Sequence, residues 1–303
     1  MRPAHFHSVL LALDFSKADH DLLNFLRSWS KWCSVDRVYL VHITEDFTLL
    51  QLPQHLYNLP ADEELEEQIR KKAEQYLPHL MHKVQIEVHE GEVYEKLLRI
   101  SRIKECDLLI LGQKPLRDGS GLMPRRLLRH SSSSVLLVPI HKNYKLEKIM
   151  CAIDFSAHSA MAVQLASGLN GGQSQLYCMH WYRSSFSFMH SAESNQEAAE
   201  HLKRRAEELW ISFKRDLQVG ESEFLLNPID GQGVDDLVLA SVQSIGADLL
   251  VLGSKGQTAS LSVLIGSFAE KIAEHPMGIP LLIVRKKGEN LDLVRWLLDF
   301  ASH

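Results

Sequence analysis

The sequence carries no excess of positive charge. Its 38 acidic side chains outnumber 33 basic ones, giving a formal net charge of -5 and a pI near 6.3. Proteins that bind DNA or RNA show a basic footprint, so no nucleic-acid partner is expected. Cysteine is scarce as well: Cys33, Cys106, Cys151 and Cys178 form no CxxC pair and no metal-ligand spacing. Free, buried thiols in a reducing compartment are the simplest expectation. Long apolar runs are missing. Near the N-terminus only Val9 to Leu13 precede Asp14, too short for the core of a signal peptide. No stretch approaches the length that crosses a bilayer. These absences lead to the expectation of a cytoplasmic protein with no membrane partner.

Motifs of catalysis are lacking too. There is no GxSxG elbow, no HExxH and no Walker A lysine in its GxxxxGK[ST] context. The sequence names no general acid–base pair. Sixteen histidines raise a metal reading, but His5-Phe-His7 lies at a terminus and the others lack Cys or His partners at zinc spacing. Most are expected to be surface residues.

What is present is a globular composition, 45% hydrophobic and 23% charged, over 303 residues, enough for two domains of ordinary size. An internal repeat organises it. Val9-Leu-Leu-Ala-Leu-Asp-Phe-Ser16 returns as Ile149-Met-Cys-Ala-Ile-Asp-Phe-Ser156. Val38-Tyr-Leu-Val-His42 returns as Leu176-Tyr-Cys-Met-His180, and Cys106-Asp-Leu-Leu-Ile-Leu-Gly112 as Ala247-Asp-Leu-Leu-Val-Leu-Gly253. Three segments recurring in one order, at nearly constant shift, make the halves one fold used twice.

Each block is a short run of Val, Ile and Leu without polar alternation, as in a strand covered on both faces. Strands are predicted near 8–14, 37–43, 84–89, 107–111 and 134–138, and again near 148–153, 175–180, 222–227, 248–252 and 279–284. Between them lie helical stripes: Leu65, Ile69, Ala73, Tyr76 and Leu80, then Ala198, Leu202, Ala206, Leu209 and Phe213. Strands alternating with helices imply parallel sheets with right-handed crossovers. The expected domains are 1–140 and 147–303, with Pro139 to Glu147 as linker. The tail, with Leu291, Val294, Leu297 and Leu298, suggests a final amphipathic helix. Ser131 to Ser134 read as a polar loop.

The chemistry concentrates after the fourth strand of the second half, in Gly253-Ser-Lys-Gly256, nine further residues, then Gly266-Ser267. A backbone that wraps a phosphate needs unusual dihedrals and no Cβ in the way. Gly253 would let the chain leave the sheet, and Gly256 would let amide N–H groups approach an anion. Gly266 and Ser267 would open a helix whose free N–H groups favour phosphate. A blander reading stands beside this one, since Ser267-Phe-Ala-Glu270 is also a capping box. Lys255 reads as a solvated loop charge.

With these residues the chain resembles the universal stress proteins in their tandem two-domain form. Gly253, Gly256, Gly266 and Ser267 match that family's G-x2-G-x9-G-[ST] loop. Asp154-Phe155-Ser156 matches the turn ending the first strand, His180 the histidine after the second, and Gly231 a glycine after the third. The resemblance implies an α/β fold of two tandem Rossmann-like domains. Each would be a five-stranded parallel sheet of order 3-2-1-4-5 with helices on both faces, and the two would pack as a pseudo-twofold pair. It implies ATP, with or without magnesium, in the second half. Asp154 would face the adenosine, His180 and Trp181 would border the adenine, and Gly253, Ser254, Gly256, Gly266 and Ser267 would hold ribose and phosphates. Asp154 or Ser156 could equally cap the following helix, and His180 could be a packed, hydrogen-bonded histidine. Trp181 could be core.

The first half keeps Asp14, Phe15, Ser16, His42, Gly91 and Gly112, then departs. Pro115 stands where the second glycine belongs and has no N–H to offer an anion. Counting back from His130, the parallel of His275, sets Gly121 opposite Gly266 and Leu122 opposite Ser267, in a loop four residues shorter. Weak or no ATP binding is expected there. Arg117, Arg125, Arg126 and Arg129 form a basic cluster that reads first as a solvated helix face. The expectation is a non-enzymatic, ATP-binding regulatory protein of stress response, switched by its ligand, with an unidentified protein partner and scope for a homodimer. The alternatives are a slow ATPase or nucleotidyl-transferring enzyme, and a nucleotide-free interaction scaffold.

Overall fold

The computed structural model describes residues 3–45, 60–113, 122–140, 143–183, 192–229, 231–256, 265–275 and 277–286. They form two compact units, His5–Tyr144 and Lys145–Arg285. Pro115, Arg117, Gly121 and the C-terminal stripe from Leu291 to Leu298 lie outside the described residues.

The first unit runs β1 (His5–Leu13), α1 (Ala18–Trp32), β2 (Ser34–Thr44), α2 (Ala61–Tyr76), β3 (Val84–Glu90), α3 (Val93–Ile103), β4 (Leu108–Gln113), α4 (Leu122–His130) and β5 (Ser134–Pro139). The second repeats it: β6 (Lys148–Ala152), α5 (Ala157–Gly168), β7 (Gln175–Arg183), α6 (Ala192–Leu217), β8 (Glu223–Ile229), α7 (Val234–Ile245), β9 (Leu249–Gly253), α8 (Ser267–Ala273) and β10 (Leu281–Val284). All ten expected strands are present.

Pairing is parallel throughout each unit, in the order β3-β2-β1-β4-β5 and β8-β7-β6-β9-β10. Each domain is therefore a Rossmann-like sheet of order 3-2-1-4-5. Helices α1 and α2 cross the sheet in one direction, α3 and α4 in the other. Because parallel crossovers are right-handed, the two pairs cover opposite faces, and α1 touches α2 while α3 touches α4. The apolar runs occupy the middle of each sheet: Val9, Leu10 and Leu11, like Ile149, Met150 and Cys151, have no exposed surface. Full burial of one such side chain stabilises by about 1.5–3 kcal/mol.

Some sequence expectations give way to packing. Leu65, Ile69 and Ala73 are buried as the stripe requires, but Leu80 is buried beyond the end of α2. On α6 the stripe is displaced: Leu209 is 40% exposed, whereas Trp210 is buried and stacks on Phe224 at 4.8 Å. The aromatic ring gains more by facing β8 than the leucine would. Ser131, Ser133 and Ser134 are buried and Ser134 belongs to β5, so this is no solvated loop. Among the described residues all four cysteines are free and buried, and no helix is long and apolar enough to cross a membrane.

Candidate functional site

In an open parallel sheet the crevice forms at the carboxyl ends of the strands where the chain order reverses. In the second domain this point lies between β6 and β9. A cavity of about 350 Å³ opens there, walled by Ile153, Trp181, Val234, Leu252, Phe268 and Ala269 and carrying polar groups from Asp154, Ser159, His180, Ser254 and Lys255. Its floor is the backbone of Gly253, Gly256 and Gly266.

The turn after β6 sets the aspartate. Phe155 takes a left-handed conformation, φ 62°, which strains a bulky residue and persists only where surroundings impose it. Here its ring is held by His180 at 4.8 Å and Phe213 at 5.5 Å. The turn folds back so that Asp154 Oδ1 accepts from Ser156 N–H at 3.0 Å, and Ser156 Oγ accepts from Ser159 N–H at 3.2 Å as the cap of α5. Ser156 therefore does what the blander reading assigned it. It also ties the turn to the glycine loop, its hydroxyl donating to the Lys255 carbonyl at 3.3 Å.

Two glycines have steric jobs rather than conformational ones. None of Gly253, Gly256 and Gly266 has a positive φ, which corrects the expectation of unusual dihedrals. A Cβ on Gly253 would sit 2.6 Å from the His158 carbonyl carbon, because β9 ends against the first turn of α5. A Cβ on Gly256 would lie 2.9 Å from Asp154 Oδ2. Gly266 caps α8 with ordinary angles, and Ser267 is the first helical residue without a side-chain capping bond, so the capping-box reading fails. The loop ends are tied together: Gly266 N–H donates to the Ser254 carbonyl at 2.7 Å, and Ser254 N–H to the Val284 carbonyl at 3.0 Å.

The electrostatics are mixed. Lys255 is only 6% exposed, so the expectation of a solvated loop charge is corrected: the chain packs it against the crevice. Burial pushes the His180 imidazole below its ordinary value, and its Nδ1 donates to the Ile153 carbonyl at 2.8 Å. This is the packed, hydrogen-bonded histidine of the second reading, with one edge on the cavity. Nearby in the chain, Lys271 Nζ on α8 pairs with Asp235 on α7 at 2.8 Å, holding the carboxyl below its usual range. One group lacks a partner. The Ser254 hydroxyl is buried, lines the cavity and makes no hydrogen bond among the described residues.

Of the residues singled out in the sequence, Asp154, His180, Trp181, Gly253, Ser254, Gly256 and Gly266 converge on one cavity. Phe155 and Ser156 shape it from behind. Ser267 is not among its lining, and Gly231 is an exposed turn residue with φ 74° that adds nothing to the wall. Gly231 and its parallel Gly91, φ 136°, answer a backbone need, not a ligand's. Sequence reasoning missed Ile153, Ser159, Val234 and Phe268. Val234 was within reach of the repeat, since Val93 holds the same place on α3 and lines the first domain's crevice.

The first domain has a cavity at the equivalent point, of about 150 Å³ and apolar apart from Asp14. Met123 and Pro124 of α4 line it, at the positions that Phe268 and Ala269 hold in the second domain. Of the basic cluster, the Arg126 guanidinium lies over the Tyr94 ring at 4.1 Å.

Comparison with known proteins agrees with the repeat. The sequence model of the Universal stress protein family matches residues 5–139 and again 145–285. Among solved structures, a functionally unknown protein from Pseudomonas aeruginosa PAO1 aligns over 95% of both chains at 14% identity and a TM-score of 0.65. A universal stress protein from Archaeoglobus fulgidus DSM 4304 aligns over 92% of this chain and 96% of its own, at 16% identity and a TM-score of 0.52. At such identities these structures establish the fold alone. No curated protein matches. The chain belongs to the universal stress protein family, with one copy of the family's domain in each half.

Proposed function

We propose that the second domain binds an adenine nucleotide, ATP, and that the chain acts as a nucleotide-responsive regulatory protein of stress response rather than as an enzyme. The observation that carries this reading is the buried Ser254 hydroxyl, without a hydrogen-bond partner among the described residues, in a glycine-floored cavity. An unsatisfied buried hydroxyl costs about 1–3 kcal/mol, and a ligand offering a partner recovers part of that. The cavity volume suits the lower end of small-molecule sites, so a triphosphate would extend from it toward solvent.

In this arrangement the apolar walls at Ile153, Val234 and Trp181 take the base, with His180 at their edge. Asp154 accepts from nucleoside hydroxyl or amino donors. The amides of Ser254 and Gly266 are already engaged with backbone carbonyls, so phosphate oxygens draw on Gly256 N–H and on the first-turn N–H groups beginning at Ser267. Magnesium, if it accompanies the nucleotide, is held chiefly by phosphates and water.

A ligand shifts a conformational equilibrium only by its differential affinity for two states. Binding across Ser254, Gly256 and Ser267 favours the state in which the two ends of the loop meet. Calorimetric titration of the full chain with ATP tests the site: wild type takes one equivalent and gains thermal stability, whereas Gly266→Arg takes none. Retention of the same ATP-dependent stabilisation in that variant sinks the assignment. Mass spectrometry of ligand released from freshly purified protein separates an adenine nucleotide from another metabolite.

A further inference from the structure

A second constellation lies at the opposite end of the first domain's sheet. β1 begins at His5 and β2 at Ser34, three residues earlier in each case than the apolar runs predict. In this extension His5 pairs with Ser34 and Phe6 with Val35. Side chains alternate between sheet faces. Phe6 and Val35 are accordingly buried, and His5, His7, Ser34 and Asp36 share the exposed face. The dismissal of His5-Phe-His7 as a terminal segment is thereby corrected: it belongs to β1, and Asp36 is brought to it from the neighbouring strand.

Three donor atoms converge on one point. His5 Nε2 lies 3.2 Å from His7 Nδ1 and 3.1 Å from Asp36 Oδ2, and His7 Nδ1 lies 3.1 Å from the same Asp36 oxygen. Ligands bound at about 2.0–2.1 Å around a tetrahedral zinc stand roughly 3.3 Å apart, so this triangle has the size of one face of such a site. Hydrogen bonding among the three groups cannot satisfy every edge of the triangle, since each shared proton serves one pair, whereas a cation above its centre serves all three.

The supporting contacts also suit a ligand set. His5 Nδ1 is 2.7 Å from Ser34 Oγ. The tautomer that donates from Nδ1 to this hydroxyl leaves a lone pair on Nε2, the nitrogen facing the triangle. The backbone of His7 is fixed by Asp107, whose Oδ2 accepts from His7 N–H at 2.6 Å and from Ser8 N–H at 3.2 Å. The donors thus sit on a strand, not on a free tail.

We infer that His5, His7 and Asp36 form a site for a divalent first-row transition cation, with zinc the natural occupant for two imidazole nitrogens and one carboxylate. All three side chains are exposed, so the remaining coordination positions open to water or to an incoming ligand. The site lies more than about 20 Å along β1 from the Asp14 turn, at roughly 3.3 Å per residue, and it does not depend on the nucleotide reading.

The test is equilibrium dialysis of the full chain against Zn2+, with wild type, His7→Ala, Asp36→Asn and Ser34→Ala compared. The tightest equivalent of zinc should be lost, or weakened at least about tenfold, in His7→Ala and Asp36→Asn. Ser34→Ala should weaken it by about tenfold, as removal of an outer-shell partner does. The substituted groups are on the surface, and metal-free melting curves matching wild type confirm that the variants fold. Zinc affinity unchanged in both His7→Ala and Asp36→Asn, or no saturable binding by wild type, overturns the site.

Discussion

The two domains share element order, strand pairing and the turn that ends the first strand, yet their crevices differ in kind. Both close β1 or β6 with an Asp-Phe-Ser turn whose phenylalanine is left-handed, φ 58° at Phe15 and 62° at Phe155. Both set a histidine against the carbonyl before the turn, the buried His42 to Leu13 at 3.0 Å and the half-buried His180 to Ile153 at 2.8 Å. Five residues after each turn's aspartate they part. The first domain has Asp19, buried, accepting from Asp14 N–H and paired with Lys72 at 3.2 Å. The second has Ser159, which lines its cavity. A buried second carboxylate beneath the turn opposes a phosphate, while a hydroxyl does not. The comparison teaches that the turn and histidine belong to the fold, and that the residues around them decide whether the crevice has polar work to do.

The sharpest way to break this comparison is at the glycine that ends the fourth strand of each domain. In Gly253→Ala the new methyl meets the His158 and Ser159 backbone at 2.6–2.8 Å. Backbone cannot yield cheaply, so this variant should lose about 2–3 kcal/mol in its domain's unfolding transition. Gly112→Ala meets only side-chain ends, Leu22 at 3.3 Å and Ile140 at 3.5 Å, which can rotate, and should lose less than about 1 kcal/mol. Urea unfolding of the full chain compares them. Equal losses would show that the two glycines answer the same need.

Next in size is the asymmetry of ligand response. At a hundredfold excess over its dissociation constant, one bound ATP stabilises by about 2.7 kcal/mol. That gain should attach to the second domain alone, vanish with Gly266→Arg and survive Asp14→Ala. Two equivalents of ATP per chain would erase the contrast.

Ser254→Ala gives a smaller effect of two opposite signs. Removing an unpartnered buried hydroxyl leaves the ligand-free protein equal or slightly more stable. Losing a ligand hydrogen bond of about 0.5–1.5 kcal/mol weakens ATP roughly 2- to 10-fold. A purely structural serine would show neither the gain nor the selective loss.

The smallest expected effect is one the domains share. Burial lowers both His42 and His180 from the ordinary 6.5. A histidine held below its unfolded value leaves stability intact above that value. As pH falls below it the unfolded chain takes up a proton that the folded domain refuses. Both domains should therefore weaken below about pH 6.5, and His42→Gln and His180→Gln should flatten the dependence in their own domains. Melting curves across pH 5 to 8 check it.

Much of this was legible in the residues. The repeated Asp-Phe-Ser block and the strand before Gly112 and Gly253 gave ten strands in their correct places, because uninterrupted Val, Ile and Leu leave few alternatives once both faces must be covered. Asp154, Ser254, Gly256 and Gly266 meet as the motif implies. The wall residues were less visible: Val234, Ser159 and Phe268 are unremarkable in sequence and matter only through the helices that bring them in.

The chain's own order of residues determined a doubled α/β domain with a glycine loop kept in one copy, since hydrophobic periodicity and repetition are local properties of a sequence. Tertiary packing alone decided three further matters. It turned Lys255 inward, it left the Ser254 hydroxyl without a partner among the described residues, and it extended two strands far enough to set His5 and His7 beside Asp36. Each depends on which side chains distant in sequence become neighbours, and that follows from strand register and helix docking, which no single segment encodes.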